Sequence, residues 1–254
     1  MNILIIGCGW LGQKVGIELL DQNHQVYGTF RKEETRIKIN DSGIEAVPID
    51  ALKGLKNLAS IDIVLLLTPP DKQLAYESYA KQLLDFTLLF GETTRFLFSS
   101  STGVYPKKEG VFDENYLFLD SEKETHLYNA EEQLAAILKQ RLLIFRLGGL
   151  IGEDRNPIHR LSGKVLTTNG QSSPYLVHAK DVFSALMQFW VKNKWGGTYN
   201  LFTDTQMTKR EYYIDKAEQE GIEKPIFGMN YDIKRKLIND KIVRDLEFQF
   251  TKLS

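Results

Sequence analysis

The sequence predicts an α/β fold in which a doubly wound parallel sheet is followed by a small mixed α/β lobe. Three observations support this prediction. Short apolar runs alternate with longer amphipathic stretches over residues 1–150, which is the pattern of repeated strand–helix–strand units. A glycine-rich turn directly follows the first apolar run. After Gly148 and Gly149 the alternation becomes less regular, which indicates a change of architecture.

The predicted strands are short apolar runs that are bounded by polar or turn-forming residues. Strands of a parallel sheet are apolar along their whole length because helices cover both faces of the sheet. We predict sheet strands at residues 2–6, 25–29, 44–49, 61–67, 95–99 and 142–146, and short later strands at residues 175–177 and 198–201.

The predicted helices have apolar residues at spacings of three and four. The first covers residues 11–20, with Leu11, Val15 and Leu19 on one stripe. A long helix is predicted over residues 71–90, because two prolines precede it and Gly91 follows it. Further helices are predicted at residues 130–138, 182–190 and 209–219. Right-handed crossovers would place the helices on both faces of the sheet.

The loop at residues 7–12, G-C-G-W-L-G, lies between the first predicted strand and the first predicted helix. In that setting a G-x-G-x-x-G spacing is typical of a Rossmann fold that binds a dinucleotide. The first glycine permits the tight turn, the second lets the backbone approach the pyrophosphate, and the third allows close helix–strand packing. The alternative is a glycine-rich turn without a ligand. The residues predicted to bind the dinucleotide here are Gly7, Gly9, Trp10, Leu11 and Gly12.

The end of the second predicted strand indicates which dinucleotide binds. NAD sites usually have a carboxylate about 20 residues past the loop, where it binds the ribose 2′-hydroxyl. This chain instead has Thr29-Phe30-Arg31-Lys32, and the guanidinium of Arg31 suits a 2′-phosphate. We therefore expect NADP(H) to be favoured over NAD(H). Two alternatives stay open: Glu33 could turn back and select NAD, or Arg31 could be a solvated residue at a helix entrance.

The composition argues against several classes of partner and site. The formal net charge is −1, so we expect neither nucleic acid nor an acidic membrane surface as a partner. The apolar runs are far shorter than the roughly 18 residues that span a bilayer, and the apolar N-terminus lacks the basic leader and cleavage site of a signal peptide. The single cysteine, Cys8, excludes an intrachain disulfide. We expect a reducing cytoplasm, a spacer role for Cys8 and no metal site, since the four histidines lack paired carboxylates.

The chain resembles the extended short-chain dehydrogenase/reductases, and more narrowly the nucleotide-sugar epimerase/dehydratase superfamily, nearly from end to end. The likeness rests on segments that follow one another in the family's order. They are the glycine loop, Asp50, S-S-S-T-G-V-Y at residues 99–105, R-L-G-G-L-I-G at 146–152, V-H-A-K-D at 177–181 and Y-N-L at 199–201. With the change of pattern near residue 150, we predict a dinucleotide-binding domain at residues 1–150 and a substrate lobe at residues 151–254 that packs on the sheet edge.

The resemblance also implies roles for residues at the ends of three strands. Asp50 would lie beside the adenine, and the loop that begins at Thr68 would pass the nicotinamide ribose, so both are predicted to bind the cofactor. Ser101 aligns with the family's active-site Ser or Thr and could hydrogen-bond a substrate oxygen. The alternative for Ser101 is a hydroxyl that satisfies nearby backbone groups.

The family's catalytic Tyr-x-x-x-Lys pair is absent from this chain. Counting back from N-A-E-E-Q-L at residues 129–134, the lysine position falls on Tyr128 and the tyrosine position on Glu124. An unassisted tyrosine has a pKa of about 10, so its phenolate costs about 4 kcal/mol at pH 7, a deficit that the family's lysine reduces. Ser101, Tyr128 and Glu124 remain the candidate catalytic residues, with His126 as a further acid or base. A solvated, charged helix entrance is the alternative.

Two functions therefore stay open. The first is an NAD(P)(H)-dependent oxidoreductase, epimerase or dehydratase acting on a nucleotide-sugar-like or other polar carbonyl substrate. The second is a non-catalytic NADP(H) sensor or regulatory protein that has lost the Tyr-x-x-x-Lys pair. Ser101 and the substrate lobe favour the first, whereas the missing pair favours the second. Analogy with the family adds a homodimer formed through long helices, for which residues 71–90 could serve.

Overall fold

A computed structural model describes residues 1–54, 60–71 and 73–253. The chain forms two compact units, each assembled from three segments. Unit 1 consists of Met1–Val104, Leu117–Arg146 and Val182–Tyr199, and unit 2 consists of Tyr105–Tyr116, Leu147–Asp181 and Asn200–Ser254. The division into a dinucleotide-binding domain and a substrate lobe at residue 150 is a statement about function and stays a prediction.

The strands are β1 (Asn2–Ile6), β2 (Gln25–Phe30), β3 (Glu45–Pro48), β4 (Ile63–Leu66), β5 (Arg95–Ser101), β6 (Gly110–Phe112), β7 (Leu142–Leu147), β8 (Gly149–Ile151), β9 (Val165–Thr168), β10 (Leu176–His178), β11 (Gly197–Leu201), β12 (Ile226–Asn230) and β13 (Arg235–Leu237). Seven of them form a parallel sheet in the order β11-β7-β5-β4-β1-β2-β3. The strand order reverses on either side of β1, which pairs with β2 on one side and with β4 on the other. The predicted doubly wound parallel sheet is therefore confirmed.

The helices are α1 (Trp10–Asp21), α2 (Glu33–Asp41), α3 (Tyr76–Thr87), α4 (Asp120–Lys123), α5 (His126–Leu138), α6 (Ile158–Leu161), α7 (Ala179–Val191), α8 (Lys209–Glu220) and α9 (Asp240–Leu246). The helices α1, α3, α5, α7 and α8 lie where the spacing of apolar residues predicted helices. In α1, for example, Leu11, Val15 and Leu19 are all buried. The helix α2 was not predicted because it is highly charged and buries only Ile39.

The long helix predicted over residues 71–90 is wrong in its bounds. Residue 72 lies outside the described residues, and Gln73 and Leu74 form a turn instead, because the Asp71 side chain accepts a hydrogen bond from the Gln73 amide and the Asp71 carbonyl accepts one from the Leu74 amide. A short polar side chain that bonds the backbone two residues on competes with helix formation. The helix α3 therefore begins after Ala75 and ends at Thr87.

On one face of the sheet, the core of unit 1 lies between the strands and the pair of helices α3 and α5, which pack against each other. Strand residues that are 1% exposed or less meet buried residues from both helices. The central members are Leu4, Ile6, Val64, Leu66, Phe96 and Phe98 from the strands and Tyr79, Leu83, Ala130 and Leu134 from the helices.

Unit 2 is mixed α/β and contains three two-stranded parallel ladders, β8 with β10, β9 with β12 and β6 with β13. It has its own buried cluster, in which Ile158 and Leu176 pack with Tyr212 and Tyr213 of α8. In the described ranges, no helix has the length and apolar character needed to cross a membrane. Within the same ranges, no group of three or more His, Cys, Asp or Glu residues is arranged to hold a metal ion.

Candidate functional site

The glycine loop follows β1 at the point where the strand order reverses. In open α/β sheets this point leaves a crevice at the carboxyl ends of the strands, and ligands bind there. The strand β1 ends at Ile6, α1 begins at Trp10, and Gly9 is the N-cap residue between them. The predicted cofactor loop therefore occupies the crevice.

Gly7 and Thr68 lie against each other in this crevice. Gly7 has a φ of +88°, and its amide donates to Thr29 Oγ1 at 2.9 Å. A Cβ at position 7 would lie 2.7 Å from both the amide nitrogen and the Oγ1 of Thr68, so only glycine fits. The structure thus places next to each other two residues that were separately predicted to bind the cofactor.

Gly9 and Gly12 differ in what surrounds them. A Cβ at Gly9 would meet no described atom within 4 Å, whereas a Cβ at Gly12 would lie 2.9 Å from Ile5 Cγ2. Gly9 is exposed, Trp10 is half-buried and the Leu11 side chain is 8% exposed. Leu11 could therefore meet a ligand only through its backbone. The open side of the loop coincides with the positive end of the α1 dipole, where an anion is stabilised.

Cys8 occupies the inner side of the loop. Its side chain is 1% exposed, and a Cβ on Gly28 of β2 would lie 2.8 Å from Cys8 Sγ. Burial raises the pKa of the Cys8 thiol to about 12. A protonated thiol packed this tightly fits the spacer role and disfavours a reactive one.

Arg31 and Asp50 line one cavity of about 620 Å³. Arg31 follows β2, and Asp50 lies in the 3-10 turn at Ile49–Gly54 that follows β3. Apolar side chains of Ile49, Leu52 and Phe86 contribute to the wall. The structure thus brings together two further predicted cofactor residues in one cavity.

Ser101 ends β5, and a short 3-10 turn at Thr102–Val104 follows it. Its Oγ accepts a hydrogen bond from the Gly103 amide at 3.0 Å. The hydroxyl therefore satisfies a backbone group, which was the alternative role, while its O–H can still donate to a ligand.

Tyr128 and Glu124 do not share a helix. Thr125 is the N-cap of α5, and its Oγ1 accepts a hydrogen bond from the Tyr128 amide at 3.2 Å. Glu124 precedes this cap, is exposed, and ends the short helix α4. In the described part of the chain no hydrogen bond or ion pair joins Glu124 to Tyr128. The spacing of four between them therefore does not produce the side-by-side pair that it would produce within one helix.

The surroundings of Tyr128 favour a neutral phenol. Its ring centroid lies 4.8 Å from that of Phe118. Burial raises the pKa of Tyr128, the carboxylate of Glu132 raises it further, and Lys123 opposes them. Tyr128 therefore stays protonated at neutral pH and can donate a proton or a hydrogen bond.

His126 is the further candidate acid or base. Its Nε2 atom lies 2.8 Å from the carbonyl oxygen of Leu74. Its ring also contacts Tyr79, whose hydroxyl donates to the Thr68 carbonyl at 2.6 Å. These contacts tie the start of α5 to the segment before α3 and to the crevice loop at Thr68.

A buried polar network that the sequence analysis missed joins Ser100, Glu131 and Arg146. Ser100 Oγ donates to Glu131 Oε1 at 2.5 Å, and Arg146 Nη2 donates to Glu131 Oε2 at 2.6 Å. The network fixes α5, which carries Tyr128, against the strand that carries Ser101. One signal was present in the sequence: a single arginine interrupts the apolar strand β7.

Lys209 of unit 2 was also missed. It is the first residue of α8, where the sequence pattern predicted only a helix. Burial lowers the pKa of Lys209, Arg235 acts in the same direction and Asp232 opposes both. Lys209, Asp232 and Arg235 thus form a partly buried charged cluster within unit 2.

No family model matches the chain. Among curated proteins, Protein YeeZ of Escherichia coli K12 is 27% identical over 272 residues, which cover 98% of this chain and 95% of YeeZ. Protein YeeZ of Escherichia coli O157:H7 gives the same identity and coverage.

Solved structures resemble the chain over nearly its whole length. UDP-glucuronic acid 4-epimerase from Bacillus cereus, in complex with UDP-glucuronic acid and NAD, has a TM-score of 0.78 at 17% identity and covers 99% of this chain and 95% of its own. dTDP-glucose 4,6-dehydratase from Bacillus anthracis, in complex with NAD, has a TM-score of 0.77 at 17% identity, with 99% and 92% covered. A functionally unknown conserved protein from Silicibacter pomeroyi has a TM-score of 0.76 at 20% identity, with 100% and 94% covered. At these identities the likeness establishes the fold: the chain has the parallel Rossmann fold of NAD-binding epimerases and dehydratases of the extended short-chain dehydrogenase/reductase type.

Proposed function

We propose that this chain is an NADP(H)-dependent oxidoreductase or epimerase that acts on a nucleotide-sugar-like or other polar carbonyl compound. The observation that carries the proposal is the glycine loop, which is closely packed at Gly7 and Gly12 and open at Gly9. Two proteins with the same fold were solved with NAD, one of them also with a sugar nucleotide. We base the proposed substrate class, a nucleotide-sugar-like or other polar carbonyl compound, on the likeness to these proteins and on the residues of the site.

The residues of the crevice fit a dinucleotide. The loop amides and the open side of Gly9 would hold the diphosphate, and Thr68 would border the nicotinamide ribose. Asp50 would lie beside the adenosine. A bound nicotinamide supplies the capacity to accept or donate a hydride. The chain itself must then bind and orient the substrate and provide a route for a proton.

Two observations support NADP(H) over NAD(H). Arg31 lies in the cavity beside Asp50, where its planar, permanently charged group suits a phosphate. Glu33, the carboxylate that could have selected NAD, accepts a hydrogen bond from Arg36 Nε at 2.7 Å on the exposed side of α2. With Glu33 paired to Arg36, the charged residues that directly follow β2 are the two cations Arg31 and Lys32.

Each candidate catalytic residue would have a separate role. Ser101 Oγ, which accepts a hydrogen bond from the Gly103 amide, would donate its own proton in a hydrogen bond to the substrate carbonyl oxygen. The Tyr128 hydroxyl would be the proton donor, although burial raises its pKa and makes it a weaker acid than an ordinary tyrosine. Glu124, which is exposed, would accept one. General acid and base groups in such positions typically contribute about 10²–10⁴-fold to a rate.

A second candidate function is a non-catalytic NADP(H) sensor. The observation that favours it is the replacement of the Tyr-x-x-x-Lys pair by Glu124 and Tyr128, which lie on opposite sides of a helix cap. A sensor would bind the cofactor as tightly as an enzyme but would not turn over any carbonyl substrate.

Cofactor binding is tested by thermal unfolding with NADPH, NADH, NADP⁺ and NAD⁺. A ligand at 100 times its Kd stabilises the native state by about 2.7 kcal/mol. Gly9→Ala should lose this stabilisation and keep the unliganded stability, because its Cβ meets no described atom. Gly91→Ala is the matched control, since its Cβ also meets none and it lies outside the crevice, after α3. Equal binding by wild type and Gly9→Ala would contradict the proposal.

Catalysis is tested by cofactor oxidation and solvent isotope incorporation across a panel of sugar nucleotides. We expect Ser101→Ala and Tyr128→Phe each to lower kcat while leaving cofactor affinity unchanged. Turnover that is unaffected by Ser101→Ala would show that the active site was placed wrongly. Binding without turnover across the panel would favour the sensor.

We further propose that residues 151–254 supply the substrate lobe, that the chain works in a reducing cytoplasm, and that it forms a homodimer through helices that include α3. The single, buried cysteine fits a reducing compartment. Light scattering after size-exclusion chromatography measures the oligomeric state directly, and a monomer at micromolar concentration would contradict the dimer.

A further inference from the structure

Three cationic side chains line the cavity that contains Asp50. Arg31 follows β2, Lys53 lies in the turn at Ile49–Gly54, and Lys81 lies on α3. They come from segments that are far apart in the sequence, and the tertiary fold brings them to one cavity.

These cations make no ion pair or hydrogen bond with any other residue in the described ranges. Lys81 is four residues before Asp85 on α3, a spacing that permits a helical ion pair, yet the two do not pair. Other exposed lysines do find nearby acids, as Lys123 does with Asp120 at 2.8 Å. Two carboxylates, those of Asp50 and Asp85, also line the cavity, but within the described ranges neither forms an ion pair with these cations.

The remaining wall of the cavity combines apolar side chains with the polar side chains of Ser78, Gln82 and Asp85. Ile49, Leu52, Phe86 and Leu89 contribute to it, and the volume is about 620 Å³. Pockets of roughly 300–1,000 Å³ with apolar walls and a few polar groups are typical sites for small molecules. A ligand that fits both features has a flat apolar ring system and an anionic group, as a phosphorylated adenosine does.

We propose that Lys53 and Lys81 act together with Arg31 to hold the phosphate on the adenosine ribose, and that the two lysines thereby determine specificity for NADP(H) over NAD(H). This inference rests on the proposed function. Arg31 supplies a planar fork that can bind two phosphate oxygens, whereas each lysine supplies a point charge. A second and a third cation strengthen the binding of a phosphate, because the phosphate carries nearly two negative charges. They strengthen the binding of a neutral ribose hydroxyl very little.

The test measures the affinities of NADP⁺ and NAD⁺ by calorimetry for Lys53→Gln, Lys81→Gln and the double variant. All of these side chains are exposed, so the unliganded unfolding temperature should not change. We expect each single variant to weaken NADP⁺ binding about tenfold and NAD⁺ binding less than twofold, since a charge-assisted hydrogen bond is worth about that much. The double variant should lose about a hundredfold for NADP⁺ alone.

The matched control is Lys38→Gln, which removes an exposed lysine of α2 that does not line the cavity. We expect it to leave both affinities unchanged. If the lysine variants lose affinity for NADP⁺ and NAD⁺ alike, or for neither, the proposed role of Lys53 and Lys81 is overturned and the proposed function still stands. A wild-type protein that binds neither dinucleotide would overturn both.

Discussion

Arg146 and Glu131 form a buried ion pair between β7 and α5. Arg146 Nη2 lies 2.6 Å from Glu131 Oε2, and the side chains are 7% and 5% exposed. Arg146 Nε adds contacts of 3.2 and 3.1 Å to the two carboxylate oxygens. Ser100 completes the shell of the carboxylate, and the ring of Phe118 lies 5.6 Å from the guanidinium carbon. The helix that carries Tyr128 is thereby fixed to two strands of the sheet.

We predict that Arg146→Met and Glu131→Leu each lower the free energy of unfolding by about 3–5 kcal/mol, because each leaves an uncompensated charge in the core. The double variant should lose much less than the sum of the two, since it leaves neither charge unpaired. Guanidinium denaturation of the four proteins measures this coupling. Additive losses would mean that the pair does not act as a unit.

Gly7→Ala is predicted to destabilise the protein by about 1–3 kcal/mol. The φ of +88° is unfavourable for alanine, and the new Cβ would lie 2.7 Å from Thr68. Gly9→Ala, two residues further on, introduces no such contact and serves as the comparison. Urea denaturation without ligand should separate the two variants. Equal stability would show that the turn at residue 7 relaxes freely.

The Cys8 thiol should resist alkylation in the folded protein. Burial raises its pKa from 9.0 to about 12, so at pH 8 the reactive thiolate is scarce. Iodoacetamide should modify the urea-unfolded chain much faster than the native one, as mass spectrometry can follow. Rapid labelling of the native protein would show that the thiol is accessible.

The same shift of the Cys8 pKa predicts a pH dependence of stability. The folded pKa lies above the ordinary value of 9.0, so folding favours the protonated thiol. Its contribution is complete below pH 9 and is lost as the pH rises towards 12. Cys8→Ala removes this group, so the difference in unfolding free energy between wild type and Cys8→Ala should shrink between pH 8 and pH 10.5. A constant difference would contradict the shift.

Asp181 is predicted to fasten the C-terminal segment within unit 2. Its carboxylate accepts hydrogen bonds from the Thr251 amide at 3.1 Å and from Thr251 Oγ1 at 2.7 Å, and the residue is 4% exposed. Asp181→Ala should cost about 1–3 kcal/mol and expose the segment after Phe250 to carboxypeptidase. Thr251→Val, which loses only the hydroxyl bond, should have a smaller effect. Equal digestion of wild type and Asp181→Ala would contradict this role.

Prediction from the sequence succeeded where the deciding interactions are local. The strands β1, β4 and β7 were identified because each is a short apolar run, and α1 because its apolar residues recur at helical spacing. Prediction failed for α2, whose charged sequence gives almost no apolar pattern. It also extended α3 too far, because a turn at Asp71 competes with the helix.

The same distinction holds for the candidate site: the features set by local sequence were predicted, and those set by tertiary contacts were not. Gly7, Gly9 and Gly12 were identified because a backbone loop of fixed length constrains which residues can occupy it. The neighbours of Tyr128 were not identifiable, since the cap at Thr125 separates Glu124 from α5 and only the folded chain shows where that helix begins.

By itself the sequence determined the parallel sheet and the glycine loop, because hydrophobic period and loop spacing act over a few residues. Only the tertiary structure decided that Arg146 pairs with Glu131 and that Arg31, Lys53 and Lys81 line one cavity. These side chains lie on different elements, and the positions that bring them together are set by how helices and turns pack on the sheet, which no local pattern encodes.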